Sequence, residues 1–286
     1  MVLRVDKFIF LSAVVLLFVL GLGIGIATGG IHLVNAVGKV TLPVIEYDRI
    51  SYSECNDDCV TVSQFHNDLE WLKEHGYNTV SVADLIRFAV GEMDLPDKPV
   101  MLTFDGGYLS IYRFVYPLLR QYGFCGVLFP VTSHIDYAES ENNRSAEHSF
   151  MTWDEIKVMT DSGIMEIQNH THLPHVESGE KTDLMKRKEE SLHSFRERVG
   201  DVLAAAQRDI TYHIGKTPVA IAYPEGKYGQ EMQEIAHEIG FKLIFTNEKR
   251  LNYIEKADSV WMNGIGRIQR RASADSEGFF ESVGMR

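Results

Sequence analysis

The chain has 286 residues, with 28 Lys and Arg against 40 Asp and Glu and a formal net charge of −12. Apolar residues make up 45% and charged residues 24%, values of a folded globular chain that exclude disordered and collagen-like classes. So acidic a balance argues against nucleic acid as a partner, because neutralising phosphates needs clustered Lys and Arg.

The first 36 residues stand apart. Between Phe8 and Gly38 there is no Asp, Glu, Lys or Arg, and in Phe8–Ala27 Ser12 is the only strongly polar side chain. Twenty such residues, at about 1.5 Å each, span roughly the 30 Å of a bilayer core. The expectation is one N-terminal transmembrane helix. Val34-Asn35-Ala36 also has the small residues of a signal cleavage site, so an uncleaved anchor and a removed signal both stand. Arg4 and Lys7 precede the run, which keeps the N-terminus in the cytoplasm and places residues 37–286 outside. The expected location is the cell membrane, single-pass, or the exterior after cleavage.

Cys55 and Cys59, in SECNDDC, are placed to pair in an oxidising space or to bind Zn, although no second Cys or His pair lies near. Cys125, in FCGVLFPV, reads as a buried small hydrophobe.

From Pro43 onward, short apolar runs alternate with amphipathic stretches. Strands are predicted at Pro43–Tyr47, Thr79–Val82, Pro99–Phe104, Phe124–Val131, Ile164–Gln168, Val219–Tyr223 and Leu243–Thr246. A helix carrying Phe65, Leu69 and Leu72 stops at Gly76. Leu109–Tyr122 stops at Gly123 with a bend at Pro117, and Thr152–Ser162 opens with the capping box Thr152 and Glu155. Thr182–Ile214, densely charged, predicts a solvated helix or helix pair, and Gln230–Ile239 stops at Gly240. Ser133–Phe150 reads as a polar loop insertion. Repeated strand–helix units over this length predict an α/β barrel or a doubly wound sheet, in one domain over residues 37–286.

In such folds functional side chains gather at the C-terminal ends of strands. Four ends here carry unusual residues: Glu46-Tyr47-Asp48, Asp105 before Gly106-Gly107, the stretch from His170 through His172 to His175, and Tyr223-Pro224-Glu225-Gly226. Singly, Asp105-Gly-Gly and YPEG are common turns, and Asp48 is an ordinary strand-end residue. Three histidines within six residues point more strongly to a metal. Together the four ends describe a metal-activated water beside a carboxylate, poised to attack a carbonyl carbon. An amidohydrolase-type barrel is the other reading of His170-x-His172, but that pair follows the first strand there and lies mid-chain here.

These segments resemble the polysaccharide deacetylase family, NodB-type carbohydrate esterases, and within it the poly-N-acetylglucosamine deacetylase branch. LPVIEYDRI is similar to its opening strand, PVMLTFDGGY to its T-F-D-D-G-Y motif, and MTWDEIKVMTDSGIMEIQNHTHLPH to the strand leading into its metal histidines. VTVSQFHNDLEWLKEHGYNTVSVADL and AIAYPEGKYGQEMQEIAHEIGFKLIFT resemble further family segments, so the likeness runs from Pro43 to about Val283. It implies a distorted (β/α) barrel of about seven strands and an extracytoplasmic, metal-dependent deacetylase acting on a cell-wall or exopolysaccharide glycan. By that resemblance Asp105 is the general base and His170 and His175 hold a divalent ion, Zn or else Co or Ni. His172 falls between the ligands as a supporting or loop residue. The backbone N–H at Glu225 meets the oxyanion, and Asp48 stands where the family's acid is His. Gly106 stands where the family has a metal-binding Asp.

Those two departures fall on the chemistry. Two imidazoles without the Asp bind a divalent ion more weakly, and an Asp is a poor general acid near neutral pH unless burial raises its pKa. Three readings follow: a rewired deacetylase in which Asp48 or Asp105 supplies the missing carboxylate, an impaired relative that binds glycan or assists an envelope machine, and a variant of a chain with Asp at 106. Tyr108, Tyr112, Trp153 and Tyr228 lie near the motif ends, where each lines a sugar groove or packs the rim.

Overall fold

The computed structural model describes residues 39–53, 59–172, 184, 186–224 and 229–286. The predicted anchor, Cys55, His175, Glu225 and Tyr228 lie outside the described residues. Among the described residues no helix is long and apolar enough to cross a membrane. Val40–Arg286 form one compact unit.

Its frame is a ring of parallel strands: β1 (Val44–Tyr47), β2 (Pro99–Gly106), β3 (Gly126–Pro130), β4 (Met165–Ile167), β5 (Ala220–Ala222), β6 (Leu243–Thr246), and the split pair β7 (Ile265–Gly266) and β8 (Ile268–Gln269). β1 through β4 pair in sequence, and β5 pairs β6, which pairs β7. The chain then changes neighbour at Arg267, and β8 pairs back onto β1. The Arg267 N–H donates to the Thr246 carbonyl and the Arg270 N–H to the Glu46 carbonyl, which closes the ring on that side.

The seam between β4 and β5 is the thin one, a parallel bridge at Asn169 and Ile221. Side chains complete it. Gln168 Oε1 accepts from the N–H groups of Val219 and Ala220, and His170 Nδ1 lies 2.7 Å from the Ala222 carbonyl. Seven strand positions in one parallel ring make a distorted α/β barrel, as the resemblance implied.

Side chains alternate across this ring, as the two-residue period of a strand requires. Val44, Met101, Val127, Phe129, Ala222, Leu243, Phe245 and Ile265 share one buried cluster, the barrel interior. Their neighbours Ile45, Tyr47, Leu102, Phe104 and Leu128 pack outward with helices α1 (Val62–Glu74) and α3 (Tyr116–Tyr122). Ile221, Tyr223 and Ile244 pack beneath α6 (Leu192–Ile214) and α7 (Gln230–Ile239). Two positions beyond Val44, Thr103 and Ile265, the inward series reaches Glu46, Asp105 and Arg267. Alternation therefore delivers three ionisable groups to the top layer of an apolar barrel.

Local signals explain most boundaries. Capping boxes open α1 at Thr61, α2 (Val82–Ala89) at Ser81 and α5 (Trp153–Asp161) at Thr152. The predicted bend before Tyr122 is a change from a π-helical turn over Ile111–Val115 to α3, with Pro117 in the first turn of α3. Two expectations need correction. Ser133–Phe150 is not loop throughout: α4 spans Thr132–Ala138, because Ile135 and Ala138 bury against the core despite the polar composition. The charged α6 is not simply solvated, since Phe195, Val199, Leu203, Ala206, Ile210 and Ile214 form a buried stripe. Each large apolar side chain so buried contributes roughly 1.5–3 kcal/mol.

Candidate active site

Asp105 ends the inward series of β2 and is buried. Arg267 Nη1 donates to its Oδ1 at 2.8 Å, and Nη2 donates to Asn247 Oδ1 at 3.1 Å. Arg267 Nε lies 3.2 Å from Glu46 Oε2 but off the hydrogen-bond direction, a close approach in which Nε makes no hydrogen bond. Asp48, half-buried, accepts from Gln269 Nε2 at 2.6 Å. Each of Glu46, Asp48 and Asp105 places a carboxylate oxygen within 4.8 Å of the other two. The expectation that Asp48 and Asp105 project at one barrel end is met geometrically, and Glu46 joins them.

One guanidinium faces this group, and burial decides which carboxyl gives way. Desolvation pushes Glu46 from 4.5 up to about 8; Arg267 opposes the rise, while Asp105 and Asp48 add to it. Glu46 is therefore protonated at neutral pH. Burial acts against the charge of Arg267 as well, but Asp105 and Glu46 outweigh it and hold the guanidinium above its ordinary pKa. The directly bonded pair is Arg267 with Asp105, and Glu46 sits beside it as a neutral acid.

His170 is buried just past β4. A carbonyl oxygen only accepts, so the Ala222 contact places a hydrogen on Nδ1 and makes Nε2 the ligand nitrogen of the neutral ring. Metal-binding imidazoles are held this way, through the second nitrogen, so His170 fits a metal ligand. No third described His, Cys, Asp or Glu completes a trio with it within 4.8 Å. His172 faces elsewhere: its Nδ1 lies 3.0 Å from Asp209 Oδ2 and 2.8 Å from Thr132 Oγ1, and it groups with Asp136 and Asp209.

Gly106 follows Asp105 at φ +86°, and a Cβ there would lie 2.8 Å from Tyr108 Cε2. The Tyr108 ring is held by stacking on Phe150 at 5.1 Å and by the Arg49 guanidinium over it. A side chain at 106 meets both a left-handed backbone and a pinned ring, a strain of about 1–3 kcal/mol. Trp153 is a rim-packing residue, its Nε1 donating to Asp136 Oδ1.

Sequence reasoning missed Arg267, Asn247 and Gln269 and gave Glu46 no role of its own. The available signal was an Arg inside the Gly- and Ile-rich run GIGRIQ, where a charge has no place unless paired.

The polysaccharide deacetylase family matches residues 92–244. The poly-β-1,6-N-acetyl-D-glucosamine N-deacetylase of Escherichia coli (strain K12) is 25% identical over 219 residues, covering 70% of this chain and 33% of the relative. The Staphylococcus aureus (strain MSSA476) protein of the same name is 26% identical over 201 residues, covering 70% of this chain and 65% of the relative. This chain thus spans a third of the one and just under two thirds of the other. The solved Streptococcus pyogenes deacetylase PplD, in complex with acetate, superposes with a TM-score of 0.68 at 21% identity, over 86% of this chain and 99% of that one. That likeness is one of fold. Since a single family spans more than half of the residues, the chain belongs to the polysaccharide deacetylase family.

Proposed function

We propose that this chain is an extracytoplasmic, metal-dependent deacetylase that hydrolyses N-acetyl groups of a cell-wall or exopolysaccharide glycan. The observation that carries the reading is Asp105, buried at the barrel mouth and bonded to Arg267 beside Asp48. The hydrogen bond from Arg267 aims the oxygens of Asp105, as a general base needs. Asp105 takes a proton from the attacking water as its oxygen adds to the amide carbon. The C–N bond breaks as the leaving amine takes a proton, a role that by resemblance falls to Asp48, and acetate departs. By resemblance the backbone N–H at Glu225 stabilises the oxyanion, a role independent of that side chain. His170 and His175 would hold the divalent ion, whose chemistry is to polarise the amide carbonyl and acidify bound water.

Gly106 favours one second reading, a relative that binds glycan without hydrolysing it, because position 106 offers no anionic ligand. Acetate release from N-acetylglucosamine oligomers, with Zn²⁺, Co²⁺ or Ni²⁺ added, separates the two. The expected result is release that Asp105→Asn lowers by about 10²–10⁴-fold. No release from the natural chain, with release restored by Gly106→Asp, gives the second reading.

The proposed location rests on the N-terminal apolar run and on Cys59, which is disulfide-bonded, as suits an oxidising compartment. Cys125 is free, and burial pushes its thiol pKa up. The full chain is expected in the membrane pellet after alkaline extraction, with its domain open to protease added outside the cell; protection from that protease sinks the export.

A further inference from the structure

A cavity of about 350 Å³ lies at the barrel mouth, where β1, β6 and β8 end. Glu46 and Arg267 border it, and Lys249, Arg271 and Phe279 line it further out. Its charge runs against that of the chain. Glu46 is the one acid among its described lining residues, set against the cations Lys249, Arg267 and Arg271. Lys249 and Arg271 are exposed and meet no carboxylate: Lys249 makes no hydrogen bond or ion pair with a described residue, and Arg271 Nη2 donates to Gln269 Oε1 at 3.1 Å. The same Gln269 donates to Asp48. One amide thus links the cationic wall to the carboxylate group.

The geometry points to this cavity as a subsite for a negatively charged substituent, a carboxylate or a phosphate, on the acetylated glycan, held by Lys249 and Arg271. The inference rests on the deacetylase reading and narrows its substrate class. A neutral glycan brings no counter-charge to either cation. An anionic substituent supplies charge-assisted bonds to both and, through Gln269, registers the sugar against Asp48.

Calorimetric binding to the full chain tests this apart from hydrolysis. The probes are N-acetylmuramic acid, N-acetylglucosamine 6-phosphate and neutral N-acetylglucosamine. One charged sugar is expected to bind about tenfold more tightly than the neutral one, with the advantage shrinking as salt is added. Whichever charged sugar wins distinguishes carboxylate from phosphate. In the double variant Lys249→Met/Arg271→Met the preference should fall to about twofold or less. Equal or undetectable binding of all three by the natural chain, or a preference that survives the double variant, overturns the subsite. Binding is read without acetate release, so failure of the deacetylase reading and failure of this one are separable.

Discussion

Arg267→Met is expected to destabilise the domain by about 3–5 kcal/mol, the cost of stripping the partner from a buried charge. Met fills similar volume, so the loss is electrostatic rather than a cavity. Asp105 loses its 2.8 Å bond, and the close approach to Glu46 goes with it. For a domain of this size that amounts to a fall in Tm of about 6–20 °C. Arg267→Lys should recover part of the stability, since it keeps a charge without the planar fork that serves Asp105 and Asn247 together. Thermal unfolding of the three chains checks this. A Tm for Arg267→Met within about a degree of the natural chain would show that Asp105 does not depend on the guanidinium.

Glu46→Gln is expected to stabilise the protein increasingly as pH rises. The folded pKa is raised from 4.5 to about 8, so the native state keeps a proton that the unfolded state releases. For a raised pKa the stabilising contribution is complete below about pH 4.5, declines as pH climbs, and is gone once pH passes about 8. Glutamine keeps the shape and has no proton to lose. The difference in unfolding free energy between the two chains should therefore widen from pH 5 to pH 8 by an amount on the order of 3–5 kcal/mol, then level off. Denaturant unfolding at several pH values gives this difference directly. A gap that stays constant with pH would mean that Glu46 ionises normally in the fold.

A missing carboxylate at position 106 weakens any site built on the two histidines, yet the backbone there is left-handed and abuts Tyr108. Restoring an acid at 106 therefore adds a ligand and a strain together. Three other carboxyl groups already crowd the neighbouring strand ends, which is why the rewired reading and the impaired reading separate only by measurement of acetate.

Much of the barrel was legible because its signals are local. The runs VIEY and VMLTF alternate inward and outward, helices begin at capping boxes and stop at glycines, and the HTHLPH stretch marks a strand end by its histidines. The last two strands were not legible. Ile265–Gly266 and Ile268–Gln269 are two residues each and change neighbour at Arg267, so no periodicity survives in them. The helix over Thr132–Ala138 hid behind polar composition, because its buried residues are few and its packing is supplied by other segments.

By itself the sequence determined the alternation, the parallel strand–helix order and the positions of Asp48, Asp105 and His170, since each is carried by neighbours a few residues away. Only the tertiary structure decided that Arg267 joins Asp105 across the ring, that Glu46 holds its proton, and that Lys249 and Arg271 make a cationic hollow in an acidic chain. The physical reason is that charge state and partnership in a low-dielectric layer are sums over groups close in space. Asp105 and Arg267 are separated by 162 positions, and no local pattern encodes that sum.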